Sequence, residues 1–238
     1  MSLLPQAAAA SASAVQSTAQ AAAQQLGQGV GAAAAHLDTT HLLAVAAALG
    51  WASGLRLYAV VFLTGLAGWL GWVPLPEGLH LLQQPAVLWG AGALMLVEFL
   101  ADKIPWVDSA WDTVHTVIRI PAGAMLAAGA LGADAGQWQF LAALMGGTLA
   151  ATAHVAKATT RAAVNTSPEP FSNIGLSLLG DAAVQAFLWL SWQYPVALFV
   201  VLAVAVVVAL SLTVLLFKFV RGVLAVLRQK FGSGTARA

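Results

Sequence analysis

From Tyr194 to Phe217 the chain carries no charged side chain. That run exceeds the ~20 residues with which a helix crosses ~30 Å of hydrocarbon, and a helix apolar on every side needs lipid or protein all round it. Comparable stretches recur at Arg56–Val73, Pro85–Ala101, Ile118–Gly132, Trp138–Val155 and Ile174–Trp192. Apolar residues make up 60% of the chain and charged ones 8%, against roughly 25% charged in a soluble domain. The chain therefore reads as an all-α polytopic membrane protein with about six transmembrane helices. The third stretch is short and rich in Ala and Gly, small residues that let helices approach closely.

Residues 1–40 are rich in Ala, Gln and Ser and hold no Lys or Arg, so they lack the basic start and compact apolar run of a cleavable signal peptide. They read as a low-complexity leader, partly helical and otherwise mobile. Residues 41–217 form the helical bundle, and 218–238 a basic tail suited to an anionic inner-leaflet surface. The chain has no Cys, which removes disulfides, thiolate nucleophiles and cysteine metal sites.

The stretch His41–Val73 is too long for one simple crossing and is interrupted by Ser53-Gly54-Leu55-Arg56-Leu57-Tyr58. An Arg at mid-bilayer costs about 2.5–3.5 kcal/mol on insertion scales, so a break near Gly54 is expected. An interfacial or re-entrant segment, His41–Ser53, then precedes the first crossing, and Arg56 lies at the membrane boundary. With both termini cytoplasmic, all ten Lys and Arg fall on the inner side, as the positive-inside tendency requires. Trp69, Trp72, Trp138 and Trp192 lie near the other side.

Between the second and third crossings, Pro105–Pro121 concentrates charge. On a helix, Asp108, Asp112, His115 and Arg119 share one face and Val107, Trp111, Val114 and Ile118 another. An interfacial or re-entrant helix is expected there, its apolar face in lipid and its polar face solvated. With Asp102 and Lys103 it would close the inner mouth of the bundle as a cytoplasmic gate. The same face has two chemical uses. Asp108, Asp112 and His115 could hold a divalent metal, and Arg119 with His115 could meet a phosphate headgroup. No motif requires a cofactor.

Glu98, His154 and Asp181 lie inside spans, where ionisable groups face a bundle interior or a water-filled cavity and find partners. With Arg56 as counter-ion they form a candidate intramembrane polar site. The structural alternative pairs Glu98 with Arg56 or Lys103, and Asp181 with a helix end or Lys157, purely to fix packing. Beyond Lys157 and Arg161, the segment Asn165–Asn173 has prolines on both sides of Glu169. There Asn165, Ser167, Glu169 and Asn173 either complete a polar vestibule or form a stiff turn in which Ser172 or Asn173 caps the fifth span. No Gly-rich phosphate loop, HExxH or GxSxG occurs, so no catalytic residue is assigned. The partners expected are membrane lipid, an unidentified small solute or ion, and a second copy of the chain; nothing supports nucleic-acid binding.

The run Ser53–Tyr58, the segment Val97–Asp108 with Trp111-Asp112 and His115-Thr116, and the loop Asn165–Asn173 carry a family likeness. They resemble the bacterial multi-pass membrane family named domain of unknown function 4126, over about Leu42 to Phe217. The resemblance implies a bacterial cytoplasmic (inner) membrane protein and brings no substrate or catalytic residue. Three functions stay open at this point. The first is movement of an ion, proton, small solute or lipid through Glu98, His154 and Asp181. The second is an inner-leaflet metal-dependent enzyme or binder of phosphorylated lipid. The third is a non-catalytic assembly subunit in which each charge is a packing pair.

Overall fold

The computed structural model describes residues 17, 38–104, 106–132, 136–166 and 170–232. The rest of the expected leader, Ser167, Glu169 and the last residues of the basic tail lie outside them. Among the described residues every regular element is helical: α1 (Thr39–Trp69), a short 3-10 helix (Glu77–Gln83), α2 (Pro85–Ala101), α3 (Val107–Leu131), α4 (Gln137–Val164), α5 (Pro170–Gln193) and α6 (Pro195–Gly232). Five helices are long and apolar enough to cross a membrane, six if the 3-10 helix and α2, bent by 69° to one another, count as one broken span. The protein is a polytopic, all-α membrane protein.

The helix α1 starts where the Asp38 side chain accepts the His41 backbone N–H at 2.8 Å, an N-cap. It ends in a Schellman-type turn. Gly71, at φ 69°, lets Trp72 N–H reach the Ala67 carbonyl while its own N–H reaches that of Gly68, as the left-handed C-terminal residue of that motif does.

Between these ends α1 is no straight rod, because Arg56 has φ −148° and ψ 84° and divides it into two arms. On the first arm, Gly50 and Gly54 lie against Gly146 and Ala150 of α4; on the second, Phe62 lies against Gly92 and Gly65 against Leu88, both on α2. Arg56 itself meets Asp102, just beyond the end of α2. Since α4 approaches Lys157, and α2 approaches Asp102, as each runs forward, both arms leave Arg56 toward the same end of the bundle. Thus α1 is a re-entrant V with Arg56 at its apex. The arm Leu57–Trp69 is about 20 Å long and falls short of the full first crossing expected at Arg56–Val73. The arm that holds His41–Ser53 is central rather than interfacial, with Ala44 through Gly54 all buried. The break falls at Arg56 rather than Gly54. Gly54 is used for contact instead, since a Cβ there would overlap the Ala150 carbonyl.

The expected elements Pro105–Pro121 and Ile118–Gly132 are not separate, because one helix, α3, runs unbroken from Val107 through Pro121 to Leu131. Proline costs a helix one N–H bond, a loss that membrane helices tolerate where neighbours hold the backbone. With its 25 residues, α3 reaches about 37 Å, so the third span is no longer short. It is also inside out: Asp108, Asp112, His115 and Arg119 are buried, while Val114 and Val117 are 65% and 77% exposed. The expected solvated polar face is therefore corrected. That face turns to the other helices, and the apolar face is left for lipid.

Small residues hold α1, α3 and α4 together; a Cβ on Gly146 would overlap Gly123 and Ala127. By contrast, α5 lies against α1 and barely touches α4. It begins at Pro170, so Ser172 and Asn173 sit within its first turn instead of capping it. Beyond Phe217, α6 continues to Gly232, and the basic tail starts as helix. Near the start of α6, Leu198 and Leu202 cluster with Ala44 and Ala47 of α1. Thr39 and Lys218 therefore lie at opposite ends of the bundle.

Candidate functional site

Every helix that reaches the apex of α1 carries polar residues at helical spacing. These are Asp108, Asp112, His115 and Arg119 on α3; His154, Lys157 and Arg161 on α4, followed by Asn165; and Asn173, Ser177 and Asp181 on α5. Steps of three or four residues put each set on one face. Glu98 near the end of α2 and Asp102 one turn later complete the group.

Around Arg119 the geometry fixes protons as well as charges. Arg119 Nη2 donates to Glu98 Oε1 at 2.5 Å and Nη1 to Asp112 Oδ1 at 2.6 Å. Nη1 also lies 3.2 Å from His154 Nδ1, and since a guanidinium can only donate, Nδ1 accepts. His154 Nε2 is 2.7 Å from Thr116 Oγ1, whose own proton goes to the Asp112 carbonyl. The imidazole is therefore neutral with its proton on Nε2. His115 Nδ1 donates to the Trp111 carbonyl at 2.8 Å, and Nε2 lies 3.0 Å from the Tyr58 hydroxyl; its ring stacks on Trp111 at 4.0 Å between centroids.

A second group surrounds the apex itself. Arg56 meets Asp102 at 2.8 Å and Asp181 at 2.9 Å, and its Nη2 donates to the Ser177 hydroxyl and carbonyl at 2.8 and 3.0 Å. Arg161 Nη1 donates to Asn173 Oδ1 at 3.0 Å, and Asn173 Nδ2 to Asn165 Oδ1 at 2.8 Å. Asn165 Nδ2 reaches Asp108 Oδ1 at 3.3 Å. Lys157 joins the two groups, its Nζ lying 3.0 Å from both Asp102 and Asp112. It also donates to the Leu55 carbonyl at 3.2 Å, beside the bend where an intrahelical partner is lost. Lys103, in the connection after α2, stands over the Phe99 ring and lies 3.3 Å from Ser177 Oγ. Partial burial lowers its pKa against the opposing pull of Asp181.

All four expected intramembrane residues enter this one network, but with other partners. Glu98 pairs with Arg119 rather than Arg56 or Lys103, and Asp181 with Arg56 rather than Lys157. Asp108, Asp112 and His115 do not converge on one point, and among the described residues no group of three or more His, Asp or Glu is arranged to hold a metal ion. Several buried carboxylate oxygens have no hydrogen-bond partner: Glu98 Oε2, Asp102 Oδ1, Asp112 Oδ2 and Asp181 Oδ2. Sequence reasoning missed Tyr58, Thr116 and Ser177. Ser177 had a signal, since it lies midway between Asn173 and Asp181 on the same face of α5.

A family model described as Domain of unknown function (DUF4126) matches residues 43–214. No curated protein and no solved structure matches the chain.

Proposed function

The chain belongs to the DUF4126 family, and we propose that this membrane protein moves protons or a small ion along its buried ionic network. One observation carries the reading. A continuous series of ion pairs runs from Asp181 through Arg56, Asp102, Lys157, Asp112 and Arg119 to Glu98. Buried ion pairs give no stability that apolar packing could not give, and ionisable groups retained inside membranes line ion and proton pathways. The unpartnered oxygens of Glu98 and Asp181 are places where a proton or cation can rest. A helix interrupted at the site, as α1 is at Arg56, is the device by which many transporters expose backbone and charge at mid-membrane. The excess of Lys and Arg at the network end supports the reading in which that end faces the cytoplasm of a bacterial inner membrane and Thr39 the outer side.

Purified protein in liposomes, with an imposed pH gradient or a sodium or potassium gradient, tests this. Flux above empty liposomes is expected, and Glu98→Gln and Asp181→Asn should each abolish it while the protein stays helical and monodisperse. Unchanged flux in both variants sinks the reading. A second reading, an assembly subunit, draws on the completeness of the pairing, since Arg56, Arg119, Lys157 and Arg161 each stand by a carboxylate. It expects no flux from the wild type, and a stable Glu98→Gln/Arg119→Gln double variant.

A further inference from the structure

Beside the ionic network, α1, α4, α5 and α6 enclose a cavity of about 400 Å³, within the roughly 300–1,000 Å³ of small-molecule sites. It exists because α5 stands against α1 and scarcely meets α4. Its two ends differ in chemistry. Arg56, Lys157 and Arg161 line one end, where Asp102 is the sole carboxylate among the lining residues. The other end is apolar, walled by Trp51, Ala183, Phe187, Ala205 and Val208, with Trp51 stacked on Phe187. From Leu176 beside the charged end to Phe187 at the apolar end is some 16 Å along α5.

The three cations are not equally committed. Arg56 and Lys157 hold close carboxylate partners, whereas the ion pairs of Arg161, 3.4 Å to Asp108 and 3.7 Å to Asp102, are the longest in the network. Its hydrogen bonds to Asn173 both use Nη1. Arg161 is 3% exposed and lines the cavity, so its loosely paired guanidinium is a buried positive group in the cavity wall. The charge of Asp102 is compensated there, because its Oδ2 is shared by Arg56, Lys157 and Arg161.

We propose that this cavity holds one acyl chain of an anionic phospholipid. The phosphate is bound by Arg161, with Arg56 and Lys157 behind it, and the chain lies along α5 toward Trp51 and Phe187. A guanidinium suits phosphate through paired donors, and the apolar end suits a hydrocarbon tail. The occupant enters from the bilayer between α4 and α5, not along the ion-pair series, so the site stands whether or not the network conducts.

Gly180 lines the cavity, and a Cβ there meets nothing within 4 Å. Gly180→Phe therefore adds bulk to the space without a Cβ clash and without removing an ion, and Arg161→Gln removes the least committed cation. Protein would be taken from nanodiscs of equal phosphatidylglycerol and phosphatidylcholine, and its retained lipid counted by native mass spectrometry. The wild type should retain phosphatidylglycerol over phosphatidylcholine by about tenfold or more, a difference either variant should erase. Added inorganic phosphate should leave the lipid in place. Equal retention of the two lipids, displacement by inorganic phosphate, or undiminished phosphatidylglycerol in Gly180→Phe overturns the proposal. Should Arg161→Gln fail to fold, Gly180→Phe decides.

Discussion

Arg119 donates to Glu98 across 2.5 Å, and neither side chain has any exposure. The same guanidinium holds Asp112 at 2.6 Å, so one cation compensates two buried acids from two helices. Removing it leaves Glu98 with no cation and Asp112 with Lys157 alone, whereas removing Glu98 leaves Arg119 its second partner. Arg119→Gln should therefore cost about 3–5 kcal/mol of stability, and Glu98→Gln clearly less, in denaturant unfolding of the detergent-solubilised protein. A larger loss for Glu98→Gln would mean that Arg119 is not the hub.

Lys157 is the link between the two halves, and its ammonium is equidistant from Asp102 and Asp112. Lys157→Met should destabilise, and adding Asp112→Asn should recover part of the loss. A double-mutant cycle should return a coupling of about 0.5–3 kcal/mol, the range for groups in one network. Additive losses would show that Lys157 and Asp112 act independently.

The members of this network were legible one by one, because charge in an apolar chain must be compensated; their pairings were not. Glu98 and Lys103 look like partners in sequence, yet a spacing of five turns Lys103 about 140° around the helix, and it lies over Phe99 instead. The stripe on α3 was read with its right members and the wrong direction. Periodicity says which residues share a face, but only the surrounding medium says which face is buried, and here that medium is lipid. An interruption is expected from the glycine before a charge, but at Gly54, two residues ahead of Arg56 where it falls. That both arms turn back to the same end depends on one residue's backbone angles, which no spacing encodes.

The inside-out character of α3 makes a directional prediction. Val117 is 77% exposed yet apolar, and it lies between His115 and Arg119, which point inward. If lipid covers it, Val117→Arg should reduce membrane insertion or folded yield by an amount equivalent to about 2.5–3.5 kcal/mol. A solvated helix face would take the same substitution with no measurable change.

The V of α1 can be tested directly, because the chain has no Cys and single cysteines give an unambiguous labelling pattern. Thr40 lies at the open end of the first arm, and Trp72, 74% exposed, just past the second. With Arg56 at the apex, both positions belong to one side of the membrane. In sealed vesicles of defined orientation, Thr40→Cys and Trp72→Cys should therefore react with an impermeant maleimide from the same side, and Lys218→Cys from the other. A straight α1 would carry Thr40 and Trp72 to opposite faces. Labelling of Thr40→Cys together with Lys218→Cys, and not with Trp72→Cys, would thus replace the re-entrant V with a sixth full crossing and move Arg56 out of its place at the turn.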